Sequence, residues 1–251
     1  MSSMKKVMLV TGASRGIGAE IALLAARSGY RVGVNYLRSE AAAQDVVQRI
    51  QQAGGEAVAL RSDVGKLDEV VSLFERLDAA FGALDVLVNN AGVLASFRVD
   101  AVDEHNLADV FSANVFSAYY CSREAIRRMS TTHGGRGGVI INMSSVASRL
   151  GGLGGGTAYA ATKGAIDSFT LALGKEVGAE GIRVNAIRPG LIATSIHDVH
   201  GGIAKMEQMA KTAVPMGRAG SSDEVAQVAL WLASSAASYV HGSVIDVAGG
   251  R

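Results

Sequence analysis

The stretch TGASRGIGAE, Thr11–Glu20, follows directly on the apolar run Val7-Met8-Leu9-Val10 and leads into a helical pattern of apolar residues. Its glycines fall at Gly12, Gly16 and Gly18, a G-x-x-x-G-x-G spacing rather than the commoner G-x-G-x-x-G of dinucleotide-binding turns. Glycine lets a backbone turn sharply and approach a pyrophosphate, and the free N–H groups and positive dipole end of a helix N-terminus stabilise that charge. Strand, glycine turn and helix in this order predict a phosphate cradle made by Gly12, Ser14, Arg15, Gly16, Ile17 and Gly18. The glycines alone carry no chemistry, because tight strand-to-helix turns use glycine without any ligand.

Outward from this turn, short β-branched runs alternate with longer amphipathic stretches. The runs are Lys6–Val10, Arg31–Tyr36, Ala57–Leu60, Leu84–Val88, Val139–Met143, Arg183–Ile187 and Val244–Val247. Between them lie helical patterns over Ile17–Ser28, Ser39–Ala53, Leu67–Phe81, Val102–Ser130, Tyr159–Ala179 and Asp223–Ala233, the last with Ser222 as its N-cap. Alternation of this kind predicts an α/β fold, a parallel sheet covered by helices on both faces. No repeat, charge run or proline-rich linker divides the 251 residues, so a single domain is expected. Two segments break the rhythm: GGLGGG at Gly151–Gly156, too glycine-rich for helix or strand, and the long connection Leu191–Met216, read as a lid-like insertion.

Nearly half of the chain is apolar, and 24 Lys+Arg almost balance 23 Asp+Glu, so no field that would seek nucleic acid is present. The apolar run near the N-terminus is too short for a signal-peptide core or a membrane span, and a soluble, cytoplasmic protein is expected. Cys121 is the only cysteine, which excludes an internal disulfide and is read as a small buried apolar residue. His197 and His200 stand three apart in the long connection with no third ligand evident, so no metal is expected.

The end of the second strand bears on cofactor choice. A fold that binds NAD usually places an acidic residue there for the ribose 2′-hydroxyl, whereas this chain reads Asn35-Tyr36-Leu37-Arg38, with no carboxylate until Glu40. Arg15 inside the turn and Arg38 beyond the strand predict convergence on a 2′-phosphate, hence NADP(H). After the fourth strand, Asn89-Asn90-Ala91-Gly92 places small and amide residues where a ligand in the C-terminal crevice would sit, Asn90 supporting the loop or contacting the cofactor ribose.

The fifth strand ends in Asn142-Met143-Ser144-Ser145, and Tyr159 and Lys163 follow on a helix. Four residues apart, phenol and ammonium share one helix face. An isolated phenol, with a pKa near 10, donates its proton poorly at neutral pH, and an adjacent ammonium lowers that pKa toward what a general acid/base needs. A nearby serine hydroxyl would hold the substrate oxygen.

Taken together, Thr11–Gly18, Asn89–Gly92, Tyr159–Lys163, Ser145, Asn114 in SANVFSAYY, and Pro189-Gly190 resemble the motif set of the short-chain dehydrogenase/reductase family over nearly the whole chain. The resemblance implies a Rossmann-like seven-stranded sheet and a homotetramer. It implies a tetrad in which Tyr159 gives or takes the proton, Lys163 lowers its pKa and binds the nicotinamide ribose, Ser145 positions the carbonyl or alcohol, and Asn114 holds a water in the proton relay. Asp63 and Val64 would flank the adenine, and Pro189, Gly190, Ile192 and Thr194 would line the nicotinamide end. The chain departs from the pattern at one point: Ser145 to Tyr159 is one residue longer than in most members, leaving Ser144 as the alternative serine. The expected activity is NADPH-dependent interconversion of a small carbonyl and a secondary alcohol. The alternatives are an NAD-linked sugar or polyol dehydrogenase and a nucleotide-binding protein without turnover.

Overall fold

A computed structural model describes residues 5–152, 154–194 and 202–251. Among them, strands β1 (Val7–Val10), β2 (Arg31–Tyr36), β3 (Glu56–Arg61), β4 (Val86–Asn89), β5 (Gly138–Met143), β6 (Ile182–Pro189) and β7 (Ser243–Val247) form one sheet in the order β3-β2-β1-β4-β5-β6-β7. All neighbours are parallel. Parallel strands need crossovers, and these contain helices α1 (Gly16–Arg27), α2 (Glu40–Gln52), α3 (Leu67–Phe81), α4 (Glu104–Phe111), α5 (Ser117–Met129), α6 (Ala147–Leu150), α7 (Thr157–Val177), α8 (Gly202–Ala213) and α9 (Ser222–Ala233).

The period of two along each strand divides the core into two layers. In β1, Met8 and Val10 pack with residues of α1, α2 and α9 on one face. Val7 and Leu9 pack with residues of α3, α5 and α7 on the other. Both faces are therefore dry, and the strands read as continuous apolar runs. The strand order reverses between β1 and β4, which are paired from Met8↔Val86 to Val10↔Val88. At such a switch point the loops leaving neighbouring strands diverge and open a crevice at the carboxyl ends of the sheet.

The structure corrects the sequence reading at several boundaries. The single helix expected over Val102–Ser130 is α4 and α5 joined by a π-helical turn at Ser112–Phe116. An added residue in one turn hardly disturbs an apolar period, so the pattern does not reveal it. The N-cap of α9 is Ser221 rather than Ser222: its hydroxyl accepts from the Glu224 N–H at 3.2 Å, and the Glu224 carboxylate accepts from the Ser221 N–H at 2.8 Å. Helix α8 lies inside the connection read as a lid-like insertion, where no helix was assigned from the sequence. The glycine-rich stretch is preceded by the single turn α6, and Gly151, Gly152 and Gly155 adopt left-handed φ values of 78°, 77° and 79°.

Cys121 is fully buried on α5, and burial pushes its thiol pKa up. His197 and His200 lie outside the described residues, among which there is no group of three or more His, Cys, Asp or Glu side chains able to hold a metal. No described helix is long and apolar enough to cross a membrane.

Candidate active site

The glycine turn after β1 is fixed from three sides. Gly12 and Gly16 have φ of 61° and 58°, a conformation that side chains disfavour. A Cβ on Gly18 would lie 2.6 Å from the Gly12 carbonyl oxygen, so the start of α1 can sit on the turn only without a side chain there. The Thr11 hydroxyl accepts from the N–H groups of Asn90 and Ala91, each at 3.0 Å, and Asn90 Nδ2 donates to the carbonyls of Thr11 at 2.9 Å and Gly12 at 3.1 Å. Asn35 accepts from the Gly12 N–H at 3.1 Å and donates to the carbonyls of Leu60 and Ser62 at 3.1 and 3.2 Å. Asn35 and Asn90 thus spend these bonds on the scaffold, bracing the turn against β3 and β4. No side chain caps α1, and its first turn holds no acidic residue, leaving the positive dipole end unopposed.

A cleft of about 650 Å³ begins at this turn and runs along the carboxyl ends of the strands. Arg15, Arg38, Ser39 and Asp63 line it, as do Gly92, Ser145, Tyr159, Lys163, Pro189, Gly190 and Ile192, with Thr194 lying 3.7 Å from where a Cβ on Gly16 would sit. Ser14, Gly16, Ile17, Val64 and Ala91 also face it. Of the candidate residues, the structure keeps two out of its wall. Tyr36 is buried in the core layer beside α1 and α2. Asn114 lies in the π-helical turn with its carboxamide locked in place: Oδ1 accepts from the Val93 N–H at 2.7 Å, while Nδ2 donates to the Val93 carbonyl at 3.0 Å and the Thr162 hydroxyl at 3.1 Å. Asn114 therefore ties the loop after β4 to the helix that carries Tyr159.

In the same cleft, Lys163 Nζ donates to the Met143 carbonyl at 2.8 Å and lies 5.6 Å from the centre of the Tyr159 ring. Burial lowers the Lys163 pKa to about 8, and the Asp167 carboxylate opposes that fall. The spacing predicts a phenol drawn below its ordinary value by this ammonium. The Tyr159 pKa is instead raised: burial outweighs a hydrogen bond with Ser145, which acts in the opposite direction. The two candidate serines point to different partners. Ser144 Oγ donates to Asp167 Oδ1 at 2.6 Å and is buried beneath the strand end, whereas Ser145 Oγ accepts from the Ala147 N–H at 3.1 Å and is the one bonded to Tyr159.

Sequence reasoning missed several residues that shape the site. Ser39 and Arg251 line the cleft. Ser39 follows Arg38 directly and was legible as a second hydroxyl donor at the basic end. Arg251 arrives through the chain after β7, where the Gly190 N–H donates to the Val247 carbonyl at 2.9 Å, and no sequence signal announced it. A buried amide ladder also went unread: Asn89 donates to Asn142 at 2.9 Å and Asn142 to the Thr170 hydroxyl at 2.9 Å, linking β4, β5 and α7.

With this geometry in place, comparison with known proteins gives a consistent result. Residues 12–251 match the family model described as Enoyl-(Acyl carrier protein) reductase. The chain is 48% identical over 246 residues to the uncharacterized oxidoreductase YgfF of Escherichia coli K12, covering 98% of this chain and 99% of that one. It is 38% identical over 247 residues to the 3-oxoacyl-[acyl-carrier-protein] reductase FabG of Staphylococcus aureus N315, covering 98% of each. A solved short-chain dehydrogenase from Burkholderia cenocepacia J2315 in complex with NADP superposes with a TM-score of 0.89 at 30% identity, over 98% of this chain and 97% of that one. A seven-stranded parallel sheet with the switch-point cleft, a full-length family match and relatives of this identity have one reading: the chain is an oxidoreductase of the short-chain dehydrogenase/reductase family.

Proposed function

We propose that this protein is an NADP(H)-dependent oxidoreductase that interconverts a small carbonyl compound and the corresponding secondary alcohol. The observation that carries the reading is one cleft holding two chemistries, a cationic phosphate cradle at Gly12–Gly18 with Arg15 and Arg38, and the Ser145, Tyr159 and Lys163 cluster. The cradle fits a dinucleotide: Cβ-free contacts at Gly12 and Gly18, an uncapped helix N-terminus, and two arginines where a carboxylate would reject a 2′-phosphate. The NADP complex of the Burkholderia relative supports the same choice. When bound, the nicotinamide would supply the hydride.

The chain's own residues supply the proton and the orientation. Ser145 donates a hydrogen bond to the substrate oxygen and fixes it beside the Tyr159 hydroxyl. Tyr159 gives its proton to that oxygen in reduction and takes it back in oxidation. The Lys163 ammonium, 5.6 Å from the centre of the Tyr159 ring, would bond the ribose. Asn114 holds the loop after β4 against α7, and in this reading its turn orders the water of the proton relay. Residues 1–251 act as one domain; the lid-like insertion expected over 191–216 includes 195–201, which lie outside the described residues. The protein works in the cytoplasm as a homotetramer, without nucleic acid or membrane partners. The apolar side chains exposed on the π-helical turn, α5 and α7, Phe116, Tyr119 and Leu171, supply a face for that assembly.

The test is NADPH oxidation followed by absorbance across a panel of small ketones, 3-oxoacyl thioesters and sugar-like carbonyls. Turnover by the wild type, and its fall by about 10²–10⁴-fold in a folded Tyr159→Phe protein, is the expected result. No turnover on any carbonyl, or an unchanged rate in Tyr159→Phe, overturns the reading. A higher kcat/KM with NADH than with NADPH would transfer it to the NAD-linked class.

A further inference from the structure

Behind the cleft, a chain of charged groups runs from the buried side of α7 to the protein surface. Ser144 Oγ donates to Asp167 Oδ1 at 2.6 Å, and the other oxygen, Oδ2, accepts from Arg188 Nη2 at 2.8 Å and Nε at 3.0 Å. Arg188 continues to Asp246 at 3.5 Å, and Asp246 pairs with Arg149 at 2.8 Å. Asp167 is itself buried and stands one helical turn from Lys163 on α7. Both its oxygens are engaged, so the carboxylate cannot swing away.

We propose that Asp167, pinned by Arg188 and Ser144, is a positioning residue that keeps Lys163 cationic in the cleft and holds the end of β5 in register with α7. The inference rests on the oxidoreductase reading of the same site. A buried ammonium is costly without a counter-charge, and the Met143 carbonyl, its direct partner, is neutral. The charged and titratable groups near Lys163 are Tyr159 and Asp167 on its own helix, Arg188 on β6 behind Asp167, and Asp246 on β7 and Arg149 on α6 farther out. From the loop after β4 and the π-helical turn it meets Gly92 and Asn114, which carry no charge. Asp167 is thus the nearest anion along α7, and in a buried setting one helical turn is close enough for its field to act with little screening. Burial alone lowers the Lys163 pKa and Asp167 raises it, which agrees with this geometry.

The test compares wild type, Asp167→Asn and the double variant Asp167→Asn with Arg188→Gln, which also removes the guanidinium left facing the lost carboxylate if the single variant folds poorly. Catalysis that needs the ammonium is lost as pH rises through the Lys163 pKa. The alkaline limb of the kcat profile for NADPH-dependent carbonyl reduction should therefore move down by about one pH unit in either variant. A merely structural residue would lower kcat at every pH and leave that limb where it was; that outcome overturns the inference.

A second readout needs no turnover. Lys163 has a lower pKa folded, about 8, than unfolded, where it returns to the ordinary lysine range. Between those values the unfolded state holds more protons, so this residue's contribution makes stability rise with pH across that window. Removing the Asp167 charge extends the window to lower pH, and the melting temperature of the variants should climb more steeply than that of wild type between about pH 7 and pH 8. Equal slopes count against Asp167 even if no carbonyl is turned over. Absence of turnover in the wild type, with the steeper variant slope present, counts against the oxidoreductase reading alone.

Discussion

At the scale of single residues, the basic end of the cleft makes the most direct claim. Arg15 and Arg38 line it together with Ser39, and the first carboxylate after β2 is Glu40 on α2. A charge-assisted hydrogen bond to a 2′-phosphate contributes about 1.5–3 kcal/mol, and an aspartate at the same place would repel the phosphate while accepting from a ribose hydroxyl. Arg38→Asp should therefore shift the ratio of kcat/KM for NADPH over NADH toward NADH by roughly 10–150-fold, measured with one carbonyl substrate. An unchanged ratio would remove Arg38 from the cofactor site. The sequence already contained this argument, because it depends on which residue types follow a strand. The preference for Ser145 over Ser144 rests in the sequence on the β-branched Val146 that follows it, and in the structure Ser144 turns to Asp167, a partner that the local sequence does not name, while Ser145 turns toward Tyr159. Asp167 stayed unread for the same reason, since its partners lie on β5 and β6 and not in its own helix.

At the scale of elements, the turn from β1 into α1 was legible because glycine spacing is itself a backbone instruction. Gly18 has no positive φ, and its need for hydrogen comes from proximity alone. A Cβ there would lie 2.6 Å from the Gly12 carbonyl oxygen and 3.0 Å from Ala13 Cα, both backbone atoms that cannot rotate away. Gly18→Ala should cost about 1–3 kcal/mol, lower the melting temperature by roughly 2–12 °C, and weaken NADPH binding by at least about tenfold. Gly164, inside α7 with nothing within 4 Å of its would-be Cβ, is the control: Gly164→Ala should hold or slightly raise the melting temperature. Thermal melts and a fluorescence titration of NADPH decide both, and equal behaviour of the two variants would refute the close-approach account. The π-helical turn at Ser112–Phe116 was illegible by contrast. Its cause is tertiary: Asn114 bonds Val93 and Thr162, residues that a local period does not see. Helix α8 was not assigned inside the lid-like insertion because only Met206 and Ala210, four apart, form its buried stripe.

At the scale of the whole molecule, the same layering that makes the sheet legible leaves one outer surface unexplained by the monomer. The parallel sheet follows from alternation and is legible in the sequence, whereas the strand order that opens the switch-point cleft is a property of the folded chain. The outer faces of α5 and α7 do not follow, because an apolar residue on a helix looks alike in a core and at an interface. Tyr119 is 52% exposed and Leu171 46%, with Phe116 beside them in the sequence of the π-helical turn. Tyr119 packs on Phe169 with ring centres 4.1 Å apart and planes tilted by 36°, which orders part of this exposed aromatic surface. Helix α7 carries Tyr159 and Lys163 as well as Leu171, so the proposed assembly face and the proposed catalytic residues share one element. The proposed homotetramer should sediment as a tetramer at micromolar concentration, and Tyr119→Glu with Leu171→Glu should convert it to smaller species by placing unpaired charge in the contact. If contact on the outer face braces α7, dissociation and loss of turnover should follow the same protein-concentration dependence in the double variant. A wild type that sediments as a stable monomer, or a dissociated variant with full turnover, would refute the link.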